Sequence, residues 1–328
     1  MRRLSAVLFG IALSIEPLCA QQVFLSGPVD GFIFDPPTKT FRAVMGLPGS
    51  ATFGPALASG FDTGWVAPHK NYAIGFQQGN CFLVTGLDSA NVSPTPVAGL
   101  FGQPESTAWS GDGSVAVLYS RSANWLQVVS GLPDAPQLGA WVDLSPLGGS
   151  LSMVASDQRG KTIALAMQGA NGGVSLSSDG QNFVSALAMA NPAALTFSSD
   201  GGSLYILDGG ALQLTIFSVN AYSFQTFSLS GLQDPSAIAS GRDTQGHPVV
   251  YVAGASDQIF QAYDPASQQM LLNLALDFQP TGITAFGPNS FVIASRSHTT
   301  DPLWLFASVP QPAVYFVPAA QSSAGGVN

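Results

Sequence analysis

Charge is what this chain has least of. Only 9% of its 328 residues are Asp, Glu, Lys or Arg, and Lys and Arg together number 10. A nucleic-acid backbone calls for a clustered basic footprint, and none occurs along the sequence. Anionic membrane surfaces are disfavoured on the same ground. The net charge of −9 therefore reflects scarce cations rather than an acidic tract. Glutamate is nearly missing, present only as Glu16 and Glu105, whereas Asp recurs throughout. Asp favours turns and Glu favours helix interiors, so this imbalance predicts many turns and few helices. Cysteine occurs twice, as Cys19 and Cys81.

Long apolar runs are also missing beyond the N-terminus, and no later stretch is suited to spanning a bilayer as a helix. Met1-Arg2-Arg3, the apolar stretch Leu4 to Ile15 and then Leu18-Cys19-Ala20 have the parts of a secretory signal. Residues 1–20 are therefore expected to be a signal peptide cleaved after Ala20, and the mature protein to be secreted or periplasmic. Lipid attachment at Cys19 is disfavoured, because Pro17 and Leu18 stand where small residues are preferred. With the signal removed, Cys81 is alone and an intrachain disulfide is excluded. Its neighbours Phe82, Leu83 and Val84 predict a buried structural thiol.

What is abundant is Gly, at 36, and Pro, at 23, in a chain that is 46% hydrophobic. They punctuate one phrase written several times: Pro, a short apolar run, a turn rich in Asp or Gly, and a second apolar run. It appears from Pro104 to Tyr119 (PESTAWSGDGSVAVLY), Pro192 to Leu207 (PAALTFSSDGGSLYIL), Pro235 to Val252 and Pro280 to Ala294. Its turns centre on His69, Asp112, Asp157, Asp200, Asp243 and Pro288, a period of about 43–46 residues that suits a four-stranded unit. A second series of turns follows at Asp88, Pro133, Asp179, Asn220, Asp264 and Pro310, so each unit is two hairpins. Runs such as Val115 to Tyr119 and Leu204 to Leu207 read as strands packed on both faces, while Phe217 to Phe224 mixes polar and apolar residues as an outer hairpin would.

Val23 to Met45 looks like the back half of a unit, with Phe32 to Pro36 parallel to Gln261 to Pro265. Six full units and this fragment predict an all-β fold, a β-propeller of about seven four-stranded blades, with six as the alternative. The ring is expected to close by pairing of N- and C-terminal strands, Ala313 to Val317 being the donor. A single domain over 21–320 and a disordered tail over 321–328 complete the expected organisation.

Segments such as PAALTFSSDGGSLYIL and SGDGSVAVLY resemble the repeats of YVTN, NHL and lactonase-type β-propellers. The resemblance spans the mature chain, is specific for fold, and implies no one activity, since those families include scaffolds, assembly factors and hydrolases. It also implies a sorting of residues. Loops joining second to third strands, and those between blades, lie on the face that usually holds the site. His69 and His247 fall in first-hairpin turns on the other face, whereas His298 falls on the site face with Asp301 as a carboxylate to orient it. Ser295-Arg296-Ser297 recurs as Ser120-Arg121-Ser122 at the same phase of another unit, so Arg121 and Arg296 are candidates to hold a carboxylate or phosphate. Asp208, Asp257 and Glu105 are the other acidic candidates on that face, with oxygen ligands of the type Ca²⁺ takes. No dense Asp loop accompanies them, so no metal or cofactor is expected and Ca²⁺ is the alternative.

No nucleophile elbow, zinc motif, phosphate loop or Cys cluster is present. The expectation is a monomeric, exported, non-catalytic propeller that presents its loop face to a protein, peptide or glycan. The alternative is a lactonase-like hydrolase with its site in the central channel, for which His298 and Asp301 are the catalytic candidates.

Overall fold

Residues 27–319, apart from Pro288 and Ser295, are described by a computed structural model. The expected signal segment, the tail and the Pro288 turn lie outside the described residues. The chain forms seven antiparallel sheets in a ring, a β-propeller. Blade 1 spans residues 29–59, blade 2 63–97, blade 3 106–143, blade 4 150–188, blade 5 192–228, blade 6 235–275 and blade 7 284–317. Two short 3-10 turns, Pro36–Thr38 and Ser145–Leu147, are the helical elements among the described residues. No helix among them is long and apolar enough to cross a membrane.

Both series of turns, the Pro288 turn aside, fall where the repeat places them. In the first hairpin of blade 3, the Ser110 hydroxyl donates to Asp112 Oδ1 at 2.8 Å and accepts from the Val115 amide at 2.9 Å, while Asp112 accepts from the Ser114 amide at 2.9 Å. Blade 5 repeats this with Ser198, Asp200, Gly202 and Ser203. Gly113 and Gly201 take φ of 79° and 74° in these turns, a conformation that favours glycine. The Ser-x-Asp-Gly signature is thus hairpin chemistry.

Second and third strands carry the apolar runs because they are covered on both faces. Ala116–Ser120 is buried along its whole length, whereas the fourth strand of blade 5, Ser223–Ser228, is mostly exposed. The core is not one mass but seven clusters, each wedged between adjacent blades. Cys81 belongs to the cluster between blades 2 and 3, and burial pushes its thiol up to about 12.

Blade 1 departs from the expected plan. Its strands are Val29–Asp35, Thr40–Met45 and Thr52–Ser59, and the first of these runs opposite to the innermost strands of the other blades. Asp30 at its start lies beside Gly287, at the end of the innermost strand of blade 7, while Asp35 at its end meets Arg296 in the loop between that blade's second and third strands. Val29–Asp35 therefore occupies the second-strand position. Blade 1 lacks a first strand among the described residues, rather than the whole front half. Phe32 to Pro36 matches the end of a second strand, not the third strand at Gln261 to Pro265, since Asp-Pro serves equally well in either turn.

Closure differs as well. Ala313–Val317 pairs with Leu303–Ala307 in its own blade, so no pairing joins N- and C-terminal strands among the described residues. The ring closes through side chains instead: Ile33, Val44 and Ala51 of blade 1 pack on Phe286, Leu303, Leu305 and Val317 of blade 7. Seven clusters at seven junctions leave no gap.

The turn carboxylates predict how stability responds to acid. Backbone amides lower the Asp179 pKa, Asn182 N–H first among them, while the Ser198 and Ser267 hydroxyls lower those of Asp200 and Asp264. A folded-state pKa below the unfolded value of about 3.9 gives stability that is present above that pH and lost as pH falls through the folded value. Thermal melts should hold level from neutrality down to about pH 5 and fall below about pH 4. Asp179→Asn should lower the melting temperature at neutral pH and make the acid limb shallower; an unchanged limb would remove Asp179 from this role.

Candidate functional site

The innermost strands surround two cavities that share a wall of Trp109, Met153, Ile238 and Ile283. One, of about 420 Å³, opens on the face of the first-hairpin turns, beside His69, Asp157 and Arg242. The other, of about 500 Å³, opens on the opposite face, where the loops between second and third strands gather. Its lining combines hydroxyls (Thr63, Ser106, Ser152, Ser236) with aromatic side chains (Phe32, Phe34, Trp65, Trp109, Tyr119), and Arg121, Arg296 and Asp35 also line it. Phe32 and Phe34 reach it because blade 1 presents its second strand there.

All seven residues singled out from the sequence lie in loops or strand ends on this face, yet they do different things. Arg296 is 4% exposed, and its Nη1 donates to both oxygens of Asp35 at 3.2 Å. Nη2 donates to the Thr299 carbonyl, and the guanidinium lies 4.7 Å from the Phe53 ring centroid. Asp35 is fully buried, accepts from Thr38 Oγ1 at 2.6 Å and stands 3.4 Å from Arg42 Nε. This charged cluster locks blade 7 to blade 1. Arg121 is exposed instead, and its guanidinium pairs with no carboxylate among the described residues. The two arginines thus line one mouth, with one held from behind and the other available.

The acidic candidates do not converge. Glu105 accepts from Ser120 Oγ and the Arg121 amide, both at 3.1 Å, and from the hydroxyl and amide of Ser122, and these bonds, Ser122 hydroxyl foremost, lower its pKa. Asp208 accepts from the Gly210 and Ala211 amides, and Asp257 from those of Gln233 and Asp234. Each carboxylate ties down a loop. Among the described residues no three His, Cys, Asp or Glu side chains gather as metal ligands would.

His298 and Asp301 do meet, with Nδ1 to Oδ2 at 3.2 Å, but the same Oδ2 also accepts from the amides of Ser297 and His298. These bonds, the His298 amide first, hold the Asp301 pKa down. The imidazole is 79% exposed and does not line the mouth.

Asp35, Trp65 and Trp109 were not signalled by the repeat reading. Trp109 had no visible mark, since it stands at the position of Phe197 in PAALTF and reads as the ordinary aromatic end of that strand. Asp35 had none either, being read as a turn residue.

No protein-family model matches the chain, and no curated protein sequence does. Among solved structures, a functionally unknown protein from Desulfotomaculum acetoxidans DSM 771 aligns with a TM-score of 0.56 at 17% identity, over 75% of this chain and 78% of that one. A streptogramin B lyase structure aligns with a TM-score of 0.58 at 12% identity, over 79% and 84%. At these identities the likeness is one of fold: the chain is a seven-bladed β-propeller.

Proposed function

We propose that this protein is an exported, monomeric, non-catalytic propeller that binds a ligand through its loop face, at the mouth of the central channel. The observation that carries this reading is the cavity of about 500 Å³ on a face where Glu105, Asp208 and Asp257 pin the loops of blades 3, 5 and 6 through backbone amides. Rigid loops around a concave, partly aromatic floor are what a recognition site requires. Among the described residues, by contrast, His298 and Asp301 do not line that mouth, and no three His, Cys, Asp or Glu side chains gather as metal ligands would. The N-terminal sequence Met1 to Ala20 supports export.

Gly282 offers a test, because it lines the mouth and a Cβ added there would meet no atom within 4 Å. Wild type, Gly282→Phe and His247→Ala would be compared on peptide and glycan arrays and in lactone and ester turnover. The expected result is array binding that is abolished by Gly282→Phe, kept by His247→Ala on the far face, and unaccompanied by turnover. Turnover that disappears in Gly282→Phe would replace this reading with the hydrolase.

A further inference from the structure

From the charges and unpartnered donors at the channel mouth, we infer that the ligand is a monovalent anion, a carboxylate carried on a flat apolar body. This deepens the binding reading above and rests on it. The protein as a whole is acidic, with a net charge of −9, yet the mouth is not. Its charged lining consists of Arg121, Arg296 and Asp35, a local excess of one positive charge. The Asp35 side chain is fully buried behind Arg296 and Arg42, so the charge presented to an incoming molecule is that of Arg121. An unpaired guanidinium offers parallel N–H groups that match a carboxylate.

Two further donors belong to residues of the same lining. Trp109 Nε1 and Arg296 Nε are both buried and have no acceptor among the described residues, although both residues line the mouth. A buried donor left unsatisfied is costly, so a pair of them in residues that line one cavity points to an acceptor that arrives with the ligand. A carboxylate supplies acceptors and neutralises the single excess charge. A phosphate dianion would carry in more charge than the mouth can match. The body of the ligand is specified by its walls: Phe32, Phe34, Trp65 and Trp109 offer flat apolar surface in a volume suited to a small molecule.

The experiment uses 2-naphthoate, its neutral amide 2-naphthamide, and inorganic phosphate, each titrated calorimetrically to roughly millimolar concentration against the full mature protein. The Trp109 indole N–H resonance, assigned with Trp109→Phe, is followed in parallel. Naphthoate is expected to bind saturably and shift that resonance, the amide and phosphate to bind at least about tenfold more weakly, and Arg121→Gln to weaken naphthoate by about tenfold or more at an unchanged melting temperature. Equal binding of naphthoate and naphthamide, or indifference to Arg121→Gln, would overturn the anion inference while leaving a binding mouth intact. Failure of naphthoate to bind would overturn the inference too, and if the arrays also stay blank the binding reading falls with it.

Discussion

Arg296→Met is expected to lower stability by about 3 kcal/mol or more, because it strips one guanidinium from a carboxylate that has no access to water. The loss is moderated by Arg42 at 3.4 Å and by the Thr38 hydroxyl, which stay on Asp35. Asp35→Ala should cost more, toward about 5 kcal/mol, since two cations then lose their counter-charge and the Arg296 side chain is only 2% exposed. For a domain of this size each kcal/mol corresponds to about 2–4 °C in melting temperature. The location of the damage is the sharper test. Asp35 and Arg296 join the first blade to the last, so amide exchange should accelerate first in Val29–Asp35, Thr40–Met45 and blade 7, with blades 3 to 5 protected until global unfolding. Replacing both residues by Leu and Met should be less harmful than Asp35→Ala alone, because a buried pair removed whole leaves fewer orphaned charges. Uniform loss of protection around the ring would mean that closure rests on the Ile33, Phe286 and Leu305 cluster and not on the charges.

The same pair shows what the sequence could and could not disclose. The repeat phrase announces strands, turns and faces because each unit solves the same local problem with the same residues, as Ser110 with Asp112 and Ser198 with Asp200 do. It places Arg121 and Arg296 at one phase, and the structure puts both on one cavity. Their different fates depend on the next blade, which the repeat does not encode. Arg296 meets Asp35, the last residue of the neighbouring second strand; in blade 4, which follows the blade of Arg121, the matching position is the neutral Gln168, which donates to the Pro192 carbonyl. Blade 1 was misphased for a related reason. A turn residue reports that the chain reverses, not which reversal it is, and Asp35-Pro36 fits the inner or the outer turn. Glu105, Asp208 and Asp257 each accept from backbone amides, and in sequence a carboxylate that does so looks the same as one awaiting a cation.

Phe41→Ala should cost about 3–5 kcal/mol, and it should change what a side chain costs at the two glycines that face it in the next blade. Phe41 is fully buried between blades 1 and 2, with its ring 5.2 Å from that of Phe34 and 5.1 Å from that of Phe61. Gly64 and Gly75, in the first two strands of blade 2, face these rings where any side chain would intrude. A Cβ on Gly75 would lie 2.6 Å from Phe61 Cδ1 and 3.2 Å from Phe41 Cε2, and one on Gly64 would strike Phe41 Cζ. Glycine in a strand interior is ordinarily a weakness, and here it is the complement of an aromatic wedge. Gly75→Ala alone should therefore destabilise by about 1–3 kcal/mol through overpacking. In the Phe41→Ala background the Phe61 ring has space to move, so the second substitution should cost less than it does alone. The double variant should fall short of the sum of the singles by about 0.5–3 kcal/mol, measured by denaturant unfolding. Strict additivity would show that the Phe61 ring does not use the vacated space, and that blades 1 and 2 meet as rigid surfaces and not as interlocking ones.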